Sequence, residues 1–393
     1  MKKQNPSIEQ YSGKIVPYDL NAAWNSHWLM AKLRENVRPL VEEAAAHAPV
    51  PFDPQDLEHQ SLFYLTTLNP SELTDSAIVE AVDSQRHFIE KRLASLGNRA
   101  DLDYLFRGLT GRHHDLNTAD RLKLKKDSGR IKAVGIGREL TVEFRKIEDP
   151  KVVSLFTGDL HYIHQQRADG DAFGLFFAGD PWPWAVETAE MSSLARPYKR
   201  AALAAHGLNP DNAAELTRLY TLPGCPLNAV SILDGLVARH YREQGVEAMF
   251  TRTMPAYSKS KSTTVAGGMN RVLCLKELKH FFEKDTSGGA DAWRPVTRRY
   301  VEEHPHAEIR MTDPAFRLLP AVDVFMTLRR AGGPADPRLN ATSAIFFNEP
   351  GLPAKTYARN HHRNEKPAQE AEAFLAGFRH PVAALRGLLA GAR

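Results

Sequence analysis

The chain has only two cysteines, Cys225 and Cys274, among its 393 residues. That excludes a disulfide framework and a cysteine-rich zinc site, and it fits a reducing compartment. No apolar run reaches the ~18 residues that a membrane-spanning helix needs. The first residues, MKKQNPSIEQYSGK, carry lysines with no apolar stretch behind them, so a cytoplasmic rather than a secreted protein is expected. The sequence also lacks a Gly-x-Gly-x-x-Gly after a strand, a P-loop and a His-Glu-x-x-His pair. The usual dinucleotide, nucleoside-triphosphate and zinc-hydrolase signatures are therefore absent.

What is present is a globular composition, 42% hydrophobic and 25% charged, with a formal net charge of +4. That permits a sizeable core and a polyanionic partner, without requiring one. The length suggests two or three domains, or one core with large additions. Residues 1–130 read as mostly helical. The clearest helix is TDSAIVEAVDSQRHFIEKRLASLG, with Ile78, Val82, Ile89, Leu93 and Leu96 at helical spacings and Thr74 or Ser76 as cap. HAPVPFDPQDLEH reads as a proline-rich connector, and RLKLKKDSGRIK as a basic linker, either solvated or facing a polyanion.

From residue 131 strands dominate: IKAVGIGRELTVEFRKI, the hairpin DAFGLFFA–GDPWP–WAVETAEM, ELTRLYTL, VEAMFTRTM and NRVLCLKEL. The helix LNAVSILDGLVARHYREQG shows one apolar face, made of Ala229, Ile232, Leu233, Leu236 and Val237, and ends at Gly245. Residues 283–393 are less regular and read as an appendage with a basic arm (359–366) and a terminal helix broken at Pro381.

The run of strand, helix, hairpin, strand, helix, strand, helical loop and strand over residues 131–282 resembles the acyl-CoA N-acyltransferase (GNAT) superfamily. The resemblance implies an α/β fold: a mixed central sheet whose two central strands splay apart, with a helical region before it and an appendage after it. Arg218, Leu219, Pro226, Asn228, Ala229 and Ser231, with HY in DLHYIHQQR and AYSKSKSTTVAGGMNRV, are similar to the phage Mom-type proteins, which modify adenine in DNA. That likeness implies transfer of an acyl or related group onto an amine, with an exocyclic amine of a DNA base as one acceptor. Acyl-CoA is the cofactor it implies, although LPGCPLNAVS lacks the glycines of the standard pyrophosphate loop. Asn228, Ser231, Ser258 and Ser260 are then the cofactor-binding candidates, and Tyr257 the acid that protonates the leaving group. Asn228 and Ser231 are equally good helix caps, and the hydroxyl cluster around Tyr257 also reads as a surface loop.

The remaining candidates follow from residue chemistry. His161 has a side chain that titrates near neutral pH, so it suits a general base, and it also reads as a structural histidine. Glu187 and Glu190 are alternative bases whose odd spacing on a strand sends them to opposite faces. Arg218 and Tyr220 alternate with Leu219 on the strand before the helix, and a buried arginine there needs an anionic partner. Tyr162, Trp184, Arg218 and Tyr220 are the substrate-binding candidates, with Trp182 and Trp184 able to stack on a flat ring or to anchor a turn. No metal is expected. The other function class open to this sequence is a non-catalytic module that binds nucleic acid or protein on a degenerate GNAT core.

Overall fold

A computed structural model describes residues 20–68, 72–96, 102–109, 122–127, 129–163, 170–191, 197–253, 269, 271–277, 281–285, 292–311 and 320–328. It is a mixed α/β structure built on a large mixed sheet.

Helices α1 (Leu20–Ala46), α2 (Pro54–Leu65), α3 (Asp75–Ser95) and α4 (Leu102–Leu109) come first. Thr74 caps α3 by accepting from the Ala77 amide at 3.2 Å, and the apolar stripe expected from the spacing is buried. The stretch read as a connector supplies α2. Asp53 accepts from the Gln55 amide at 2.8 Å, and Pro54 takes the first helical position, where its missing N–H has no bond to lose. From Asp56 to Leu65 this helix is buried on every side.

Among the described residues the main sheet has nine strands in the order β1 (Lys123–Asp127), β2 (Arg130–Gly135), β3 (Arg138–Lys146), β4 (Asp171–Phe177), β5 (Ala185–Met191), β6 (Ala213–Thr221), β7 (Ala248–Thr253), β12 (Pro320–Thr327), β8 (Arg271–Glu277). Neighbours from β1 to β6 are antiparallel, and the expected hairpin is β4–β5. The basic stretch before residue 131 is not a linker but the edge hairpin β1–β2, whose lysines on β1 are exposed. Strand β12 inserts between β7 and β8, so the sheet draws on the first, middle and last of the three segments read from sequence. A separate three-stranded sheet has the order β10 (Ala292–Val296), β9 (Phe281–Asp285), β11 (Ile309–Met311). The larger apolar cluster among the described residues draws on Leu33 in α1 through Leu328 after β12, and a smaller one joins Leu203, Phe250 and Leu273.

Among the described residues the parallel strand pair of the main sheet is β6 with β7, and it positions the site. Their ladder covers Ala213–Leu216 against Ala248–Thr251 and stops. Strand β6 continues to Thr221 with no further pairing to β7. The Thr251 hydroxyl donates to the Leu216 carbonyl at 2.8 Å, closing the ladder where the strands part. On its other side β6 stays paired to β5, with a bulge: Thr188 faces Arg218 and Ala189 faces Leu216, leaving Thr217 as the extra residue. The connection from β6 to β7 runs through α7 (Ala229–Glu243), which buries Ala229, Leu233, Leu236 and Val237 and ends before Gly245, at φ +86°. Before β4, the short helix α5 (Pro150–Ser154) runs into a π-turn, Leu155–Asp159, which packs on β5 and β6. Helix α6 (Pro197–Ala205) lies between β5 and β6 in sequence.

Candidate functional site

Beyond the bulge, side chains of β6 alternate in register with β5. Arg218 and Tyr220 share a face with their partners Thr188 and Val186, while Leu219 shares the opposite face with Glu187. The two faces carry different chemistry.

On the Tyr220 face the sheet meets the π-turn and α2. His161, buried just after the π-turn, stacks on Tyr162 with centroids 4.6 Å apart and lies 6.5 Å from the Tyr220 ring. Tyr162 in turn meets His59 at 4.9 Å and Phe63 at 5.6 Å, both from α2. The His161 Nδ1 accepts the Ile163 amide at 3.2 Å. A neutral ring held this way carries its proton on Nε2, which leaves that nitrogen a donor. Burial pushes the Tyr162 hydroxyl up to about 12; Arg218 opposes the shift and Asp56 adds to it. Burial also pushes Tyr220 well up, helped by Asp53, Asp56 and Cys225. Asp56 itself is raised, first by burial and then by Asp53, with Arg92 pulling the other way. The Tyr220 hydroxyl is buried and has no hydrogen-bond partner among the described residues.

On the opposite face, Glu187 meets Asp234 of α7. Glu187 is completely buried and Asp234 nearly so. Neither Glu187 oxygen, nor Asp234 Oδ2, has a donor among the described residues. Two ionised carboxylates only accept, so a bond between them needs a shared proton. Burial raises Glu187 well above the ordinary carboxylate range, and Asp234 adds to that. Burial likewise raises Asp234 to about 7, with the bond to Glu187 opposing. The two titrate as a pair that holds a proton near neutral pH.

The loop after β6 leads to the start of α7. Asn228 is exposed and left-handed, with φ 67°, a conformation that asparagine tolerates. Its side chain makes no capping bond, and the Ser231 hydroxyl donates to the Asn228 carbonyl at 3.2 Å. The loop amides are largely engaged: Cys225 bonds to the Leu222 carbonyl at 2.9 Å, Leu227 to Leu122 at 2.8 Å and Ala229 to Pro226 at 3.3 Å. Pro223 and Pro226 have no N–H to offer. The edge strand β1 is tied to this loop through Leu124 and Leu227, which places Lys123 beside it.

The structure thus brings together His161, Tyr162, Arg218 and Tyr220, and sets Glu187 on the other face of the sheet. Glu190 is buried on β5 opposite Glu215, whose carboxylate pairs with Lys199. Trp184 is buried against Phe177 at 5.3 Å, an anchoring position with no free ring face. Tyr257, Ser258 and Ser260 lie outside the described residues. Among the described residues no cluster of histidine, cysteine and acidic side chains could hold a metal ion. Also among them, no helix is long and apolar enough to cross a membrane. Sequence reasoning missed Asp56, His59 and Asp234. The available signals were acids and a histidine inside stretches that otherwise bury apolar residues, as in SILDGLV. No family model matches the chain, and no curated protein matches it.

Proposed function

We propose that the chain is a GNAT-like transferase that moves an acyl or related group onto an amine, with an exocyclic amine of a DNA base as acceptor. The observation that carries this reading is the β6–β7 pair. Two parallel strands part after Leu216 and Thr251, β6 runs on past the break with Arg218 and Tyr220 while still paired to β5, and α7 follows it. The order β6, β7, β12, β8 around that break supports the same reading.

In this reading the amine nitrogen attacks the donor's electrophilic carbon and loses a proton, while the leaving group departs with one. Glu187 shares a proton with Asp234 on the opposite face of the sheet from Tyr220, so it serves the fold and the amine proton passes to solvent. Tyr220 keeps its proton and so suits a donor to the reacting group. His161 also serves as a donor, through Nε2.

The loop before α7 does not fit the pyrophosphate of acyl-CoA, since its prolines and internally bonded amides leave no continuous backbone cradle. Donor recognition falls instead to side chains, with Asn228 and Ser231 placed at the positive end of α7. A polyanionic acceptor is supported by the exposed Lys123, Lys125 and Lys126 of β1 beside this loop.

The test is to express the protein, digest cellular DNA to nucleosides and weigh them. A deoxynucleoside of increased mass with the wild type, and none with Tyr220→Phe, is expected. Unchanged nucleosides with the wild type would leave the binding-module reading standing instead.

A further inference from the structure

The edge strands β1, β2 and β3 carry more cations than their own acids can match. Asp127 and Glu139 both face Lys132, at 3.7 and 2.7 Å, and Glu143 faces Arg145 at 3.4 Å. Lys146 reaches Asp171 at 2.6 Å. Lys123, Lys125, Lys126 and Arg130 are exposed and make no ion pair with any described residue. Lys123 and Lys125 share one face of β1, and Lys126 lies on the other, beside Gly235 of α7. Arg130 stands opposite Asp127 at the far end of the strand. At ~3.3 Å per residue the strip from Lys123 to Arg130 runs about 13 Å.

Charged side chains on an edge strand also deter pairing with another chain. That accounts neither for Arg130 nor for the next turn, between β2 and β3. Gly135 pairs with Arg138, so Ile136 and Gly137 form a two-residue tip. Gly137, at φ +66°, supplies the left-handed residue of the turn, so its conformation does not call for isoleucine at 136. Ile136 is 79% exposed, the most exposed large apolar side chain among the described residues. The register sets Lys123 opposite Val134, next to this tip, and Arg138 at its base. Leu227, also exposed, joins β1 at Lys123, so the tip and the basic strip continue into the loop before α7.

We propose that this edge is a surface for duplex DNA: Lys123, Lys125, Lys126 and Arg130 lie along the phosphates, and the β2–β3 tip enters a groove with Ile136 against the bases. A strip of uncompensated cations matches a polyanion that carries one charge per about 1.7 Å. The B-form major groove admits a two-stranded ribbon, whereas the major groove of duplex RNA is too deep and narrow to read. A single strand would need an aromatic platform, and the aromatic residue of these strands, Phe144, packs on Phe173 at 5.5 Å instead. The inference deepens the proposed function by giving its acceptor a binding surface. It rests on that reading only in laying the bound duplex past the loop before α7.

The test is fluorescence anisotropy of a labelled ~30-base-pair DNA duplex with the full chain, between about 50 and 200 mM salt. Lys123→Gln/Lys125→Gln/Lys126→Gln is expected to weaken binding about 10- to 100-fold at the middle of that range and to flatten the log–log salt slope by about 2–3. Arg86→Gln/Lys151→Gln/Arg299→Gln loses the same net charge elsewhere and is expected to flatten it by less than about 1. Ile136→Ser is expected to weaken binding about 3- to 10-fold with the slope unchanged, since an apolar contact releases no counterions. A duplex RNA of the same sequence is expected to bind more weakly. No binding of DNA by the wild type, a hairpin variant that behaves like the control, unaltered affinity in Ile136→Ser, or equal binding of RNA overturns the inference. Binding to anionic lipid vesicles but not to the duplex would assign the surface to a membrane and overturn it too. DNA bound at this edge by the wild type, with no modified nucleoside in cells, would overturn the transferase reading and leave the surface standing.

Discussion

The Glu187–Asp234 pair makes folding depend on pH in a direction opposite to that of ordinary salt-bridged acids. Asp234 is raised from 3.8 to about 7 by burial, and Glu187 is raised as well. A carboxyl whose folded pKa lies above its unfolded value stabilises the fold fully below the unfolded value. That contribution is lost as pH rises through the folded one. Here the window runs from about 4 to about 7. At about 1.4 kcal/mol per pH unit, one shared proton accounts for roughly 4 kcal/mol across it. The pair is nearly or fully buried, so solvent screening removes little of this. Asp234→Asn replaces one acid with an amide that donates to the Glu187 carboxylate without a shared proton. Urea unfolding of both proteins at pH 5, 6, 7 and 8 is the assay, read as the difference between them so that all other titrating groups cancel. The variant is expected to gain on the wild type by about 2–3 kcal/mol between pH 5 and pH 8. A difference that stays constant across that range refutes the shared proton.

Four further outcomes follow from the same geometry. Tyr220→Phe removes a buried hydroxyl that has no partner among the described residues, so stability should hold or rise by up to about 1 kcal/mol in thermal unfolding, while DNA modification is lost. Lys199→Met leaves Glu215 buried beside Phe250 without its cation and should cost about 3–5 kcal/mol in urea; the double variant Lys199→Met/Glu215→Leu should recover most of that. Gly170→Ala should lower the melting temperature sharply, because φ is +97° and a Cβ would stand 2.2 Å from the Ala189 carbonyl oxygen. Asn228→Gly suits the left-handed backbone and removes no capping bond, so stability should be kept; a loss of modification in that variant marks a ligand contact, and unchanged modification marks a purely conformational role.

Local signals in the sequence translated well where one short stretch settles the structure. The β4–β5 hairpin follows from two apolar runs about a Gly-Asp-Pro turn, and the buried face of α7 follows from its 3.6-residue period. Helix α2 was legible too, in Asp53 before Pro54, a cap followed by a first-turn proline; the surrounding prolines pointed to a connector instead. What no local pattern carries is non-local pairing. Strand β12 enters the sheet between β7 and β8, one place from its edge, and that place depends on partners far from it in sequence. The candidate site divides the same way. Arg218 and Tyr220 share a face because alternation within one strand requires it. Asp56 joins them only through the packing of a helix more than a hundred residues earlier in the chain, and Asp234 finds Glu187 only because α7 folds back onto β5.

In the proposed transferase, donor and acceptor meet at the break between β6 and β7. The most direct measurement is a crystal structure of the protein soaked with the modified nucleoside recovered from cells expressing it. Density between the two strands, within hydrogen-bonding distance of the Tyr220 hydroxyl, is the predicted result. Density only against the lysines of the β1–β2 hairpin, with the space beside Tyr220 filled by the protein's own side chains, would contradict it.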